Sequence, residues 1–245
     1  MQIIGRKFGN IIRSWQKQPS CKPSRPGKIN NTLRRNVLLA GILGVFGVLT
    51  ATSAHSASKS VLVLGDSLSA EYGLARGSGW VALLQERLLA EHIDVNVTNA
   101  SISGETTSGG IARLPALLQQ RPNIVIIELG ANDALRGLEL KGTEANLLAM
   151  IAAAKKASAK VLLVGMRIPP NYGRDYTEKF FGLYSTVAKQ SNVALVPFLL
   201  EGVADKPQLF QADRIHPIAQ AHPIILNNIW QKLEPLIKTT MSATK

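Results

Sequence analysis

Val61-Leu62-Val63-Leu64-Gly65-Asp66-Ser67-Leu68-Ser69 joins an unbroken apolar run to a small polar turn. Successive side chains of a strand point to opposite faces, so four aliphatic residues in a row need cover on both sides. That is the situation of a parallel strand inside an α/β sheet. The pattern recurs downstream: Ile124 to Leu129 is a second such run and Val161 to Val164 a third, while Val95-Asn96-Val97 and Ala194 to Val196 are shorter and weaker. Between them lie segments with apolar residues at helical spacing. These are Gly79 to Glu91, Thr107 to Gln120 with an interruption expected near Pro115, Thr143 to Ser158, Asp175 to Gln190, and a closing helix from Ala219 to Ile237. Five strands alternating with helices predict an α/β fold of three layers, built on a mainly parallel five-stranded sheet with helices on both faces. No internal repeat or low-complexity linker follows residue 58, so residues 58–245 read as one domain.

Composition narrows the class. With 46% hydrophobic and 18% charged residues, a disordered polyelectrolyte is excluded. One cysteine excludes a disulfide-stapled scaffold and a cysteine-based zinc cluster. The net charge of +12 would ordinarily raise nucleic acid or an anionic membrane as partner. Its distribution argues otherwise. Nine of the 28 basic residues lie in Met1–Ser58, which holds no Asp or Glu, leaving 19 basic against 16 acidic residues in the remainder. The basic stretch leads into a 13-residue apolar run, Val37 to Leu49, and then into Thr50-Ala51-Thr52-Ser53-Ala54. The run is short for a membrane span, which needs about 20 residues. A positive segment, a short apolar run and a small-residue end describe a signal peptide. Residues 1–57 therefore read as a basic leader and Sec-type signal with cleavage near 54–57, and Cys21 lies upstream of the apolar run. The expectation is a periplasmic or secreted monomer without a stable membrane anchor and without a nucleic-acid partner.

In parallel α/β sheets, ligands bind beyond the carboxyl ends of the strands. Four polar loops arrive there: Gly65-Asp66-Ser67-Leu68-Ser69, Asn99 to Glu105, Gly130-Ala131-Asn132-Asp133, and Asp213-Arg214-Ile215-His216-Pro217. Acyl transfer needs a nucleophile, a base, a group that orients the base, and donors for the developing oxyanion. Ser67 can supply the nucleophilic Oγ, His216 the base, and Asp213, three residues earlier, the carboxylate that holds the imidazole tautomer. The Ser67 N–H, the Gly104 N–H and the Asn132 side-chain amide are candidate oxyanion donors. Of the other histidines, His55 falls at the leader boundary, His92 ends a helix, and His222 precedes Pro223 without a neighbouring carboxylate. Each loop alone has an ordinary explanation as a turn. Their convergence on one edge carries the argument. Leu135, Leu138, Ile168 and Pro169 are candidates for the surface along an acyl chain, although packing beneath the loops explains them equally.

Together Gly65-Asp66-Ser67-Leu68-Ser69, Gly104, Gly130-x-Asn132-Asp133 and Asp213-x-x-His216 resemble the four sequence blocks of the SGNH (GDSL) hydrolases. Asn99 to Gly104, Ala112 to Leu118, Glu128 to Gly137 and Arg167-Ile168-Pro169-x-Asn171-Tyr172-Gly173 are similar to one branch, the periplasmic bacterial thioesterase I/protease I/lysophospholipase enzymes or arylesterases. The resemblance extends from Val61 to Leu236. It implies a flavodoxin-like sheet, no metal or organic cofactor, a Ser67–His216–Asp213 triad, and an oxyanion hole of Ser67, Gly104 and Asn132. It also implies acyl esters, thioesters or lysophospholipids as substrates. Glu71 departs from the pattern, since a glycine is commoner there, and a carboxylate at that place is expected to disfavour anionic acyl donors. No Gly-x-Ser-x-Gly occurs, which argues against the nucleophile elbow of the α/β-hydrolase fold. The alternatives are a sugar O-acetyl esterase on the same fold, a metal-dependent phosphoesterase using Asp66, Asn132, Asp133 and His216, and a non-catalytic binding module.

Overall fold

Apolar runs become strands wherever helices cover both of their faces. In the structure, a computed structural model that describes residues 59–242, the strands are β1 (Lys59–Gly65), β2 (Val95–Asn99), β3 (Ile124–Glu128), β4 (Lys160–Val164) and β5 (Ala194–Val196). They form one sheet in the order β2-β1-β3-β4-β5, parallel at every pairing. Val61 to Leu64 and Ile124 to Ile127 are all buried, as their continuous apolarity demands. Edge strand β2 buries Val95 but exposes Asn96, Thr98 and Asn99, which is why its sequence signal is weak. The leader reading of residues 1–57 lies outside the described residues.

Among the described residues six α-helices cover the sheet: α1 (Trp80–Ala90), α2 (Thr107–Leu118), α3 (Ala131–Leu135), α4 (Leu140–Lys156), α5 (Arg174–Ser191) and α6 (His222–Ser242). α1 packs on α6, and α4 packs on both α2 and α5, giving the outer layers of the three-layer sandwich. Trp80, Leu84 and Leu88 of α1 and Phe180, Tyr184 and Val187 of α5 show how helical spacing turns one stripe into the core.

Three expectations are corrected. α2 runs without interruption through Pro115 to Leu118. α6 continues past Ile237, with Pro235 inside it, and a separate 3-10 turn at Ala219–Ala221 precedes it. Gly130-Ala131-Asn132-Asp133 is not a plain loop, because Ala131–Leu135 forms a short helix started by Gly130. Gly130 has φ +116°, and a Cβ there would lie 2.6 Å from Tyr184 Oη, so both backbone and neighbour require glycine.

The order 2-1-3-4-5 puts the reversal of strand order between β1 and β3. The turns leaving those two strands, at Asp66–Ser69 and Gly130–Asp133, therefore lie side by side.

Candidate active site

Asp66 shapes the first turn. It is 1% exposed; its Oδ1 accepts the Leu68 N–H at 3.0 Å, and its carbonyl accepts the N–H groups of Ser69 and Ala70. These bonds fold the chain tightly after β1 and place Ser67 at the rim. Asp66 Oδ2 accepts a hydrogen from Asn132 Nδ2 at 3.0 Å, which fixes the orientation of that amide and leaves its second hydrogen free. Among the described residues, the N–H groups of Ser67 and Gly104 donate to no protein acceptor.

The fourth loop closes on itself. Phe210 and Pro217 form an antiparallel bridge, the Gln211 N–H donates to the His216 carbonyl at 2.8 Å, and the Ile218 N–H donates to the Leu209 carbonyl at 2.9 Å. Inside this closed loop Asp213 Oδ1 accepts the N–H groups of Ile215 and His216 at 2.9 and 3.0 Å. Asp213 Oδ2 lies 2.6 Å from His216 Nδ1, and His216 Nε2 lies 2.9 Å from Ser67 Oγ. Partial burial pulls the Asp213 pKa upward. The His216 N–H, the imidazole and the Ile215 N–H outweigh it and hold the carboxyl down at about 2, so the imidazole faces a carboxylate. The Tyr72 ring lies 4.3 Å from that of His216, centroid to centroid.

Gly104 reaches the same edge through the loop after β2. The Ala100 and Ile102 N–H groups donate to the Val63 and Gly65 carbonyls, continuing the ladder beyond the strand. Gly104 adopts φ +78°, and Arg136 donates to its carbonyl at 2.8 Å.

Ser67, Asn132 and His216 open onto a cavity of about 520 Å³ whose wall is largely aliphatic and aromatic. Leu135, Ile168 and Pro169 line it as expected. Leu138 does not: α3 ends at Leu135, the chain turns at Gly137 with φ +66°, and Leu138 emerges 44% exposed. Met166, Phe198, Leu200 and Phe210 also line the cavity. In the sequence they read as ordinary core residues, and only the position of Met166, Phe198 and Leu200 after β4 and β5, and of Phe210 ahead of the fourth loop, hints at the site. Glu71 is occupied elsewhere, accepting the Gly77 and Gly79 N–H groups at the start of α1, and it does not line the cavity.

Beneath the turn lies a buried polar layer that the sequence does not announce. Glu128, at the end of β3, is fully buried; its Oε2 accepts the Ser69 hydroxyl at 2.7 Å and the Asp66 N–H at 3.2 Å. Trp80 Nε1 donates to the same Ser69 oxygen. Burial, reinforced by the neighbouring Asp66 charge, pushes the Glu128 pKa well above the usual carboxylate range. Burial also raises Asp66 to about 6 despite the Leu68 N–H, His216 and Asn132. His222, 2% exposed, accepts the first N–H of α1 (Trp80) on Nδ1 at 3.0 Å and so caps that helix; burial lowers its pKa. Asp133 turns away from the rim and accepts the Thr107 N–H and hydroxyl, tying α3 to the start of α2. With Asp133 so engaged, the four ligands of a metallophosphoesterase do not converge. Among the described residues no group of three His, Cys, Asp or Glu side chains is placed to hold a metal ion.

The open parallel sheet and the polar rim at its carboxyl edge have the arrangement that acyl transfer requires. Comparison with known proteins agrees: residues 63–224 match the model of the GDSL-like Lipase/Acylhydrolase family, and the chain belongs to that family, the SGNH hydrolases. It is 49% identical over 204 residues to the Esterase TesA of Pseudomonas aeruginosa, a match covering 83% of this chain and 100% of that protein. Over 187 residues it is 44% identical to the Thioesterase 1/protease 1/lysophospholipase L1 of Escherichia coli, covering 76% of this chain and 88% of the relative. Among solved structures, the psychrotrophic esterase EstA from Pseudoalteromonas sp., inhibited by monoethylphosphonate, superposes with a TM-score of 0.71 at 41% identity. That match covers 74% of this chain and 100% of EstA.

Proposed function

We propose that the enzyme hydrolyses carboxylic esters and thioesters of apolar acyl chains by two-step acyl transfer at Ser67. The observation that carries this is the unbroken relay from Ser67 Oγ through His216 to Asp213, with contacts of 2.9 and 2.6 Å, at the mouth of an apolar cavity. His216 Nε2 takes the Ser67 proton as Oγ bonds to the carbonyl carbon. Asp213 stabilises the resulting imidazolium. The oxyanion is held by the N–H groups of Ser67 and Gly104 and by the free hydrogen of Asn132. His216 returns the proton to the departing alkoxide or thiolate as the carbon–oxygen or carbon–sulfur bond breaks. Water then attacks the acyl-enzyme, His216 takes one of its protons, and the acid departs as Ser67 regains its own.

The acyl chain lies along Leu135, Ile168, Phe198 and Leu200. Each methylene buried there contributes about 0.8 kcal/mol, or about fourfold in kcat/KM, until the cavity is filled. The test is a p-nitrophenyl ester series from acetyl to palmitoyl, with a phosphonate label followed by mass spectrometry. The reading requires labelling at Ser67, its loss in Ser67→Ala, and a rise with chain length to a plateau. A folded Ser67→Ala protein with wild-type hydrolysis would refute it. The same reading has residues 1–57 direct export and be removed near Ala54–Ala57, releasing an unanchored periplasmic or secreted monomer. It is supported by the basic, apolar and small-residue succession of the leader. The N-terminal sequence and mass of the exported protein test it.

A further inference from the structure

The relay leaves one buried acid unused. Glu128 ends β3 opposite Gly65, the last residue of β1, and its Oε2 lies 2.7 Å from where a Cβ on Gly65 would stand. The carboxyl thus fills the gap that glycine leaves beside the turn carrying Ser67. Its hydrogen bonds run in directions that the donors decide. An indole N–H can only donate, so Ser69 Oγ accepts from Trp80 Nε1 at 3.2 Å and passes its own hydrogen to Glu128 Oε2 at 2.7 Å. The Asp66 N–H also donates to Oε2, at 3.2 Å. Oε2 is therefore an acceptor only, the role of the carbonyl oxygen in an un-ionised carboxyl group. Oε1 is buried with no hydrogen-bond partner, and no Lys, Arg or His pairs with the side chain among the described residues. The titratable groups facing it are Asp66 and Tyr184, neither of them a cation. A carboxylate here would be a second buried negative charge beside Asp66, with one oxygen that no donor satisfies. Burial and the Asp66 charge raise its pKa in keeping with this.

The geometry points to Glu128 as a positioning residue for acyl transfer, an un-ionised acid that anchors the nucleophile turn and leaves the negative charge of the buried layer on Asp66. The inference rests on the acyl-transfer reading and adds to it what aims the oxyanion donors. The chain of contacts is short. Oε2 holds the turn at the Asp66 N–H and at Ser69 Oγ, on either side of Ser67. Asp66 in turn accepts from the Leu68 N–H on Oδ1 and from Asn132 Nδ2 on Oδ2. Both oxygens of Asp66 therefore serve as acceptors, as those of a carboxylate do. A second charge at Glu128 would draw a proton onto Asp66, and a proton on Oδ2 would set one donor against another at Asn132. The amide would then lose the bond that directs its free hydrogen to the rim. A neutral Glu128 keeps Asn132 aimed.

Two variants test this with p-nitrophenyl butyrate as substrate, each with its melting temperature measured alongside. Glu128→Gln is uncharged at every pH and offers the same acceptor oxygen, so kcat and KM should stay near wild type. Glu128→Leu has similar bulk without the acceptor and releases the turn. Since a displacement of about 1 Å can cost about 10²-fold in rate, its kcat should fall by about that factor with KM little changed. Infrared difference spectroscopy of wild type against Glu128→Gln, at about pH 8 where Asp66 is ionised, should show the carbonyl stretch of an un-ionised carboxyl group in the wild type only. Absence of that band overturns the inference, because Glu128 would then be charged. A Glu128→Gln kcat lowered about tenfold or more also overturns it, as does a Glu128→Leu loss that lies in KM or is missing. The spectrum and the Gln variant decide the matter if Glu128→Leu does not fold. Phosphonate labelling of Ser67 is independent of these readouts, so its failure would instead indict the acyl-transfer reading.

Discussion

Replacing Asn132 with alanine separates transition-state binding from substrate binding. One Nδ2 hydrogen of Asn132 is committed to Asp66 Oδ2 at 3.0 Å, and this bond aims the other at the rim beside Ser67. Three donors serve the oxyanion in the proposed mechanism. Removing one that is pre-aimed, in a site partly closed to water, costs about 2.7–4 kcal/mol of transition-state stabilisation, or about 10²–10³ in kcat. KM should stay close to wild type, because a ground-state carbonyl carries little of the charge that the donor stabilises. The change also removes one of the partners that lower the Asp66 pKa, so burial should drive that carboxyl further up and stability should fall by about 1–3 kcal/mol. Asn132→Asp is the sharper variant. It sets a second carboxylate against Asp66 and presents charge of the wrong sign to the oxyanion, so its loss of kcat should be at least as large. Steady-state kinetics on p-nitrophenyl butyrate, with urea unfolding of the same preparations, measures both effects. A variant within tenfold of wild-type kcat, or one whose whole loss lies in KM, would show that the amide serves only as a structural tie to Asp66.

Two further outcomes follow from the buried layer. Gly130→Ala must place a methyl 2.6 Å from Tyr184 Oη on a backbone with φ +116°, so thermal unfolding should show a loss of about 2–4 kcal/mol; a melting temperature equal to wild type would refute the requirement for glycine. For Asp66, with its folded pKa raised to about 6, the folded protein keeps a proton that the unfolded chain gives up, so this group lowers stability as pH rises from about 4 to 6 and adds no slope above that. The whole effect is about 3 kcal/mol, and Asp66→Asn should abolish it. Urea unfolding of wild type and variant at several pH values between 4 and 7 tests this, and parallel curves would sink it.

The sheet was legible because β1, β3 and β4 lie between two helical layers, and that double burial writes itself as continuous aliphatic sequence. The rim residues were legible because a parallel sheet delivers every strand-end loop to one edge, so Ser67, Gly104, Asn132, Asp213 and His216 could be grouped without knowing the strand order. Signals that depend on long-range packing were not. α3 is too short to show a period, and missing it misplaced Leu138. Pro115 reads as a break, yet α2 runs on through it. Glu128 ends an apolar run, a place where an acid is conspicuous, but that its partner would be Ser69 depends on the neighbouring strand. Phe198 and Phe210 face a cavity only because separate chain segments meet there.

The loop from Phe210 to Pro217 has a consequence for redesign. Asp213 and His216 share one short segment that bonds to itself at its neck, and it is tied to the turn after β1 by the His216 contact with Ser67, by the ring of Tyr72 and by the Gln211 amide, which donates to the Tyr72 carbonyl at 2.9 Å. In the proposed mechanism the proton relay is therefore a cassette. Shortening or exchanging the loops that shape the acyl-chain wall leaves its internal distances untouched, whereas a one-residue insertion at its neck carries Asp213 and His216 away from Ser67 together. Substrate range can thus be varied through the walls after β4 and β5, whereas changes within the Phe210–Pro217 segment, whose Phe210 and Ile215 also line the cavity, alter wall and relay together.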